Sequence, residues 1–223
     1  MSILRHAAAI VGDFPNALRF RARALRDWPV PSRYAEGGRA PVVLVPGVYE
    51  TWHYLRPVAD ALNVAGHPVH IVPGLGINHR PIPETAARVW ARIRELELRD
   101  VVIVAHSKGG IVGKHLLARD DVEGRIARVV AIATPFHGSR MAHLAVPPAM
   151  REFRPVVPVI AELEREAAAN ARIVSIAPAF DPHIPEGSAL DGARNLTVDV
   201  TGHFRILHDA RLPLLVVEEA GRP

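Results

Sequence analysis

The 223-residue chain contains no cysteine, which excludes disulfide staples, thiolate metal ligands and a cysteine nucleophile. It also lacks a strong charge of either sign: 27 Lys and Arg stand against 23 Asp and Glu, a net of +4. That excess is too small and too evenly spread for a nucleic-acid footprint. Long apolar runs are absent as well. Runs such as 101–105 and 129–133 are strand-length, far below the roughly 20 residues of a membrane span. At the N-terminus one short apolar patch, residues 7–11, is cut by Gly12 and Asp13, with no small-residue cleavage site after a longer run. A signal peptide is not expected, and the chain reads as a cytoplasmic protein whose partners are small molecules. No internal repeat or low-complexity tract is visible.

About half of the residues, 49 %, are apolar, enough for one domain to bury a sizeable core. Residues 1–27 space Ile3, Leu4, Ala7, Ile10, Val11, Phe14, Leu18 and Leu25 as one face of an amphipathic helix, interrupted at Pro15, with arginines gathered toward its end. The expectation is a helix packed on the domain or on a neighbouring chain, with an anionic lipid surface as second choice. Residues 1–40 are therefore read as this helix and its linker, and 41–223 as the main domain. Oligomeric state is not legible.

From Pro41 the pattern changes to short, nearly continuous apolar runs at 42–45, 69–72, 101–105, 128–132, 172–176 and 195–200. Helical stretches lie near 52–65, 83–98, 109–119, 157–169 and 205–211. Apolar strands alternating with helices predict an α/β fold, a mostly parallel central sheet covered on both faces. In such sheets ligands sit beyond the carboxyl ends of the strands, so the residues just after each run are the ones to inspect.

After the third run comes Ala105-His106-Ser107-Lys108-Gly109-Gly110, with a helix expected behind it. Strand, tight turn and helix around a central serine is the setting of a nucleophile elbow. The turn strains the serine backbone, so positions two before and two after must be small; Ala105 and Gly109 fill them. The backbone N–H of Lys108 falls where a helix begins and positive partial charge can stabilise an oxyanion. A serine that merely caps a helix would look similar.

Together with Leu44-Val45-Pro46-Gly47-Val48 upstream and Ala133-Thr134-Pro135-Phe136-His137-Gly138-Ser139 downstream, this segment resembles the bacterial lipase and esterase branch of the α/β-hydrolase superfamily, over about 41–212. The resemblance implies that the backbone N–H of Val48 is a second oxyanion donor beside that of Lys108. Pro46 stands where the family commonly has His, and Ala105 where it commonly has Gly. Gly47 is expected to let the backbone approach the tetrahedral intermediate. Thr134-Pro135-Phe136-His137-Gly138 implies a pocket wall, with His137 in structure or substrate contact.

A serine nucleophile needs an imidazole to take its proton and a carboxylate to orient that imidazole. In this fold they follow in the order Ser, acid, His. Asp181, in Phe180-Asp181-Pro182-His183-Ile184-Pro185 after the run 172–176, stands where the acid belongs; Gly202-His203 after the run 195–200 resembles the family's base turn. The expected triad is Ser107, Asp181 and His203. His208 is the competing base, and Asp199, Asp191 and Asp209 are competing acids of lower rank.

Twelve histidines invite a metal reading, but His67 and His70 on a turn and strand do not face together as they would on a helix. Gly74-Leu75-Gly76 lacks the spacing of a nucleotide loop. Neither a metal nor another cofactor is expected. The expected substrate is a carboxylic ester or lipid with a hydrophobic acyl chain, for which the Pro-rich apolar segment 141–150, Trp52 and Tyr54 offer walls. A thioesterase or acyltransferase would use the same residues, and a non-catalytic scaffold would keep the sheet without the activity.

Overall fold

The computed structural model describes Gly12, Asp13, Pro15 and residues 29–222. The expected N-terminal helix over 1–27 thus lies almost wholly outside the described residues.

Six strands, β1 (Val42–Val45), β2 (Val69–Ile71), β3 (Val101–His106), β4 (Ile126–Ile132), β5 (Ile173–Phe180) and β6 (Arg194–Thr201), form one sheet in the order β2-β1-β3-β4-β5-β6. All five pairings are parallel. Every expected strand is present. Alternate side chains point to opposite faces of a strand, and in β1, β3 and the second half of β4 both faces are dry. Val43, Val45, Ile103, Ala105, Val129 and Ala131 enter one apolar core, while Val42, Leu44, Val102, Val104, Val130 and Ile132 enter the other. The continuous apolar runs in the sequence are the signature of this two-sided burial.

Helices α1 (Arg56–Val64) and α5 (Arg211–Ala220) pack together on one face. Helices α2 (Ile82–Glu95) and α3 (Lys108–His115) pack on the other, and α4 (Pro158–Arg165) joins that same core. Among the described residues no helix is long and apolar enough to cross a membrane.

Among the boundaries that differ from expectation, two bear on the site. β5 does not stop at Ile176 but runs to Phe180, straight through Pro178. The proline is tolerated because β4 pairs β5 only as far as Ile176, so beyond that point β5 has β6 alone as a neighbour and one side of its backbone owes no hydrogen bond. The helix expected over 205–211 is instead a 3₁₀ turn, Arg205–His208, followed by α5. Pro213 sits in the first turn of α5, where a missing N–H costs nothing.

Candidate active site

Because all six strands run the same way, their carboxyl ends lie on one side of the molecule, and the loops that leave β1, β3, β4, β5 and β6 converge there. Three residues there, Tyr49, Ser107 and Ala133, have φ of 59°, 51° and 47°, a region that residues with a Cβ rarely adopt.

Ser107 sits between β3 and α3 with φ 51° and ψ −120°. Its N–H still donates to the Ile132 carbonyl at 2.8 Å, so β3 stays joined to β4 up to the sharp turn. Gly109 permits that turn, since a Cβ there would overlap the carbonyl oxygen of Val45. α3 is thereby pressed against the end of β1, and every residue from Lys108 to Lys114 is buried. Ser107 retains 8 % exposure and opens onto a cavity of about 520 Å³ whose lining includes Val48, Ser107, Met150, Phe153, Ile184 and His203.

Asp181 and His203 are brought together by strand register. Phe180 of β5 pairs with Thr201 of β6, and the Gly202 N–H donates to the Phe180 carbonyl at 2.9 Å. The next residues on each chain therefore emerge side by side, with His203 Nδ1 2.7 Å from Asp181 Oδ2. The other carboxylate oxygen, Oδ1, accepts from the backbone N–H groups of His183 and Ile184 at 2.8 and 3.1 Å. Burial favours the neutral acid, but the His203 charge, its hydrogen bond and the His183 N–H outweigh it and hold Asp181 below the usual carboxylate range. For His203, burial pushes the imidazole down; the Asp181 carboxylate and its hydrogen bond, with Glu50 and Asp13 behind, overcome that and raise it. With Nδ1 committed to Asp181, Nε2 is the nitrogen left for proton transfer. His208 lies on the 3₁₀ turn and does not line the cavity, and Asp199 is exposed on β6.

The loop after β1 carries Val48 to the cavity wall. It is held from two sides. Asn78 Nδ2 donates to the Pro46 carbonyl at 2.6 Å, and the Glu50 carboxylate accepts the Gly47 N–H at 2.8 Å. A Cβ on Gly47 would lie 2.5 Å from Glu50 Oε1. Glycine here leaves the space that the carboxylate folded over it occupies, a reason that motif reading does not supply.

Glu50 is a site residue that sequence reasoning missed. Its two oxygens lie 2.8 and 2.9 Å from His106 Nδ1, and His106 Nε2 lies 3.2 Å from the carbonyl oxygen of His203. A carbonyl can only accept, so Nε2 donates to it. Glu50 and His106, both buried, thus tie the loop of Val48, the residue before Ser107 and the backbone of His203 into one network. The position of His106 directly before the serine was the available signal; nothing in the sequence linked it to Glu50.

Lys108 presents its backbone N–H at the first position of α3, one of the helix donors with no partner inside the helix. Its side chain turns away from the cavity. Nζ is fully buried, donates to the Asn78 carbonyl at 3.2 Å and to the Arg80 carbonyl, and lies 3.7 Å from Glu152. Burial pushes this ammonium below its ordinary pKa, with Glu152 opposing. His137 does not reach the cavity; it is exposed and pairs with Glu164 at 2.9 Å, which removes it from substrate contact. Of the segment 141–150, Met141, Ala142, Leu144, Ala145, Pro147 and Met150 do line the cavity. Ser139 anchors its start by donating to the His183 carbonyl at 2.7 Å and accepting from the Met141 N–H at 3.1 Å.

The similarities agree with this architecture. The mature lipase BlEst2 of Bacillus licheniformis superposes with a TM-score of 0.65 at 17 % identity, over 86 % of this chain and 94 % of that one. The enol-lactonase from Burkholderia xenovorans gives 0.61 at 18 %, over 83 % and 93 %, and the monoacylglycerol lipase of Paleococcus ferrophilus 0.56 at 17 %, over 83 % and 98 %. No curated protein matches the chain. The family model of the alpha/beta hydrolase fold matches residues 40–202, from the strand before the first loop of the site to the glycine before His203, and the chain belongs to that family.

Proposed function

We propose that this protein hydrolyses carboxylic esters with an apolar acyl group, using Ser107 as nucleophile, His203 as general base and Asp181 as the orienting acid. The observation that carries the proposal is the 2.7 Å His203–Asp181 pair opening, together with a strained Ser107, onto one largely apolar cavity. Ser107 Oγ attacks the carbonyl carbon while its proton passes to His203 Nε2. The ester C–O bond then breaks, the same proton leaves with the alcohol, and water repeats the sequence on the acyl-enzyme. The N–H groups of Val48 and Lys108 receive the oxyanion. A volume of about 520 Å³ lies in the range of small-molecule sites, and side chains such as Met141, Ala142, Met150 and Phe153 suit an acyl chain better than a charged one.

A fluorophosphonate probe tests the chemistry. It is expected to label the wild type and to leave Ser107→Ala unlabelled; labelling that persists in the folded variant removes Ser107 from the role. A matched panel of p-nitrophenyl esters and acyl thioesters of increasing chain length then separates ester hydrolysis from the thioesterase and acyltransferase alternatives, which share the same side chains. Turnover of none of them, with no labelling of the wild type, would leave a scaffold without activity.

A further inference from the structure

Asp13 lies outside the matched family region, 191 positions before the residue it touches, yet it is buried against the turn that carries His203. Its Oδ2 accepts the Phe204 N–H at 2.9 Å and its Oδ1 accepts the Arg205 N–H at 3.0 Å. These are the first two backbone donors after the base, at the entry to the 3₁₀ turn Arg205–His208, where no intrahelical acceptor is available to them. Gly202, on the other side of His203, has φ +131°, and a Cβ there would stand 2.6 Å from Asp13 Oδ1. The Gly-His pair therefore serves two ends: glycine gives the turn its conformation and leaves the space that the Asp13 carboxylate fills.

We propose that Asp13 is a positioning residue for the base: by accepting the N–H groups of Phe204 and Arg205 through separate oxygens, it locks the turn that holds His203 against Asp181. The proposal rests on the reading of His203 as the base. Asp13, which lies ahead of the matched family region, thereby becomes part of the site. The fit is specific to a carboxylate. Asparagine has the same shape but only one acceptor atom, so one of the two N–H groups would face an amide N–H instead. Alanine would leave both without a partner.

Asp13 also contributes charge. The ionisable groups facing His203 are Asp181 on its Nδ1, Glu50 and His106 from the β1 and β3 loops, His183 beside it with ring centroids 5.3 Å apart, and Asp13. His183 Nε2, buried with no hydrogen-bond partner, is 3.7 Å from Asp13 Oδ2. Burial and the His203 charge push His183 down to about 4, so it is neutral at ordinary pH. Asp13 is thus one of the anions that favour the His203 imidazolium.

The test uses the full chain with Asp13→Asn and Asp13→Ala, each preparation titrated with the fluorophosphonate to count competent sites. Turnover per titrated site on a p-nitrophenyl ester is expected to fall about tenfold or more in Asp13→Asn, and further in Asp13→Ala, with KM little changed. The acid limb of the kcat/KM profile is expected to move to lower pH in both, because an anion that favours imidazolium has gone. If turnover per site and the acid limb stay at wild-type values while only the yield of folded protein or the melting temperature drops, Asp13 is structural and the proposal fails. A failure of the underlying reading looks different: the probe would then label Ser107→Ala or His203→Ala as fast as the wild type, whatever the Asp13 variants do.

Discussion

Removing the Glu50 carboxylate should destabilise the fold and disable the site together, and the size of the effect can be worked from its contacts. Glu50 is 2 % exposed and accepts the Gly47 N–H, while both its oxygens face His106 Nδ1. Glu50→Ala leaves that N–H and that ring nitrogen buried without a partner. A buried polar group left unsatisfied costs about 1–3 kcal/mol, so the two together cost about 2–6 kcal/mol. Against a typical total stability of about 5–15 kcal/mol, that is a large fraction. Glu50→Gln is the informative control. Its side-chain oxygen can still accept from Gly47 and its NH2 can donate to an unprotonated His106 Nδ1, so the loss should stay below about 1.5 kcal/mol. Denaturant unfolding followed by tryptophan fluorescence measures both, and Trp52, buried two residues from Glu50, reports on the loop itself. Since the same carboxylate sets the path of the chain into Val48, turnover of Glu50→Ala should also fall, by up to about a hundredfold if the oxyanion donor is displaced. Equal stability of Glu50→Ala and wild type, or a Gln variant as unstable as the Ala one, would refute the reasoning.

The remaining expectations follow from other contacts in the site. His203 is raised by Asp181 against its burial, and a base must be neutral to act, so kcat/KM should rise with pH through a midpoint above about 6.5; a midpoint below that value contradicts the assignment. The same pair contributes to stability, with Asp181 depressed and His203 raised. The carboxylate's share is present above about 3.9 and lost as pH falls through its lower folded value, while the imidazole's share is full below about 6.5 and lost as pH rises through its higher one. Thermal melts of wild type and Asp181→Asn should accordingly differ most between about pH 4 and 6.5, and a difference that grows toward pH 9 would show that the pair is not what separates them. Gly109→Ala should cost about 3 kcal/mol or more, or fail to yield soluble protein, because the added Cβ meets the Val45 carbonyl and no flexible side chain can give way. Lys108→Met should retain fluorophosphonate labelling, since the backbone donor stays, but should speed protease cleavage within 139–156 because Glu152 loses its ammonium partner; a folded variant that no longer labels would give the ammonium itself a role.

What could be read in the chain beforehand follows from the range of the interaction behind each feature. Central-strand positions are local: in β1, β3 and β4 dry faces on both sides demand unbroken apolar runs, and those runs are visible in a window of five residues. Ser107, Asp181 and His203 were legible because each is fixed by its distance past a strand end, and parallel strands turn that count into a shared location. The boundaries at Pro178 and Pro213 have the opposite character. Whether Pro178 ends a strand depends on whether a neighbour needs its N–H, and whether Pro213 ends a helix depends on where that helix begins.

Each missed residue makes a contact over long range, although Glu50 also holds Gly47 in its own loop. Glu50 meets His106 across 56 positions and Asp13 meets Phe204 across 191, and no periodicity or spacing rule connects residues so far apart. Both are buried carboxylates that accept backbone N–H groups from loops lining the cavity, and that common role has a physical origin. Loops at strand ends leave the sheet's hydrogen bonding behind, so their N–H groups need other acceptors if the loop is to hold one shape. A carboxylate offers two oxygens and cannot itself demand an acceptor, which makes it the side chain best suited to hold such a turn from inside. The sheet thus places Ser107, Asp181 and His203 in one region, while the fine geometry also depends on two buried acids, Glu50 in the loop after β1 and Asp13 far upstream. A sequence search tuned to the reactive residues will find the first layer and pass over the second.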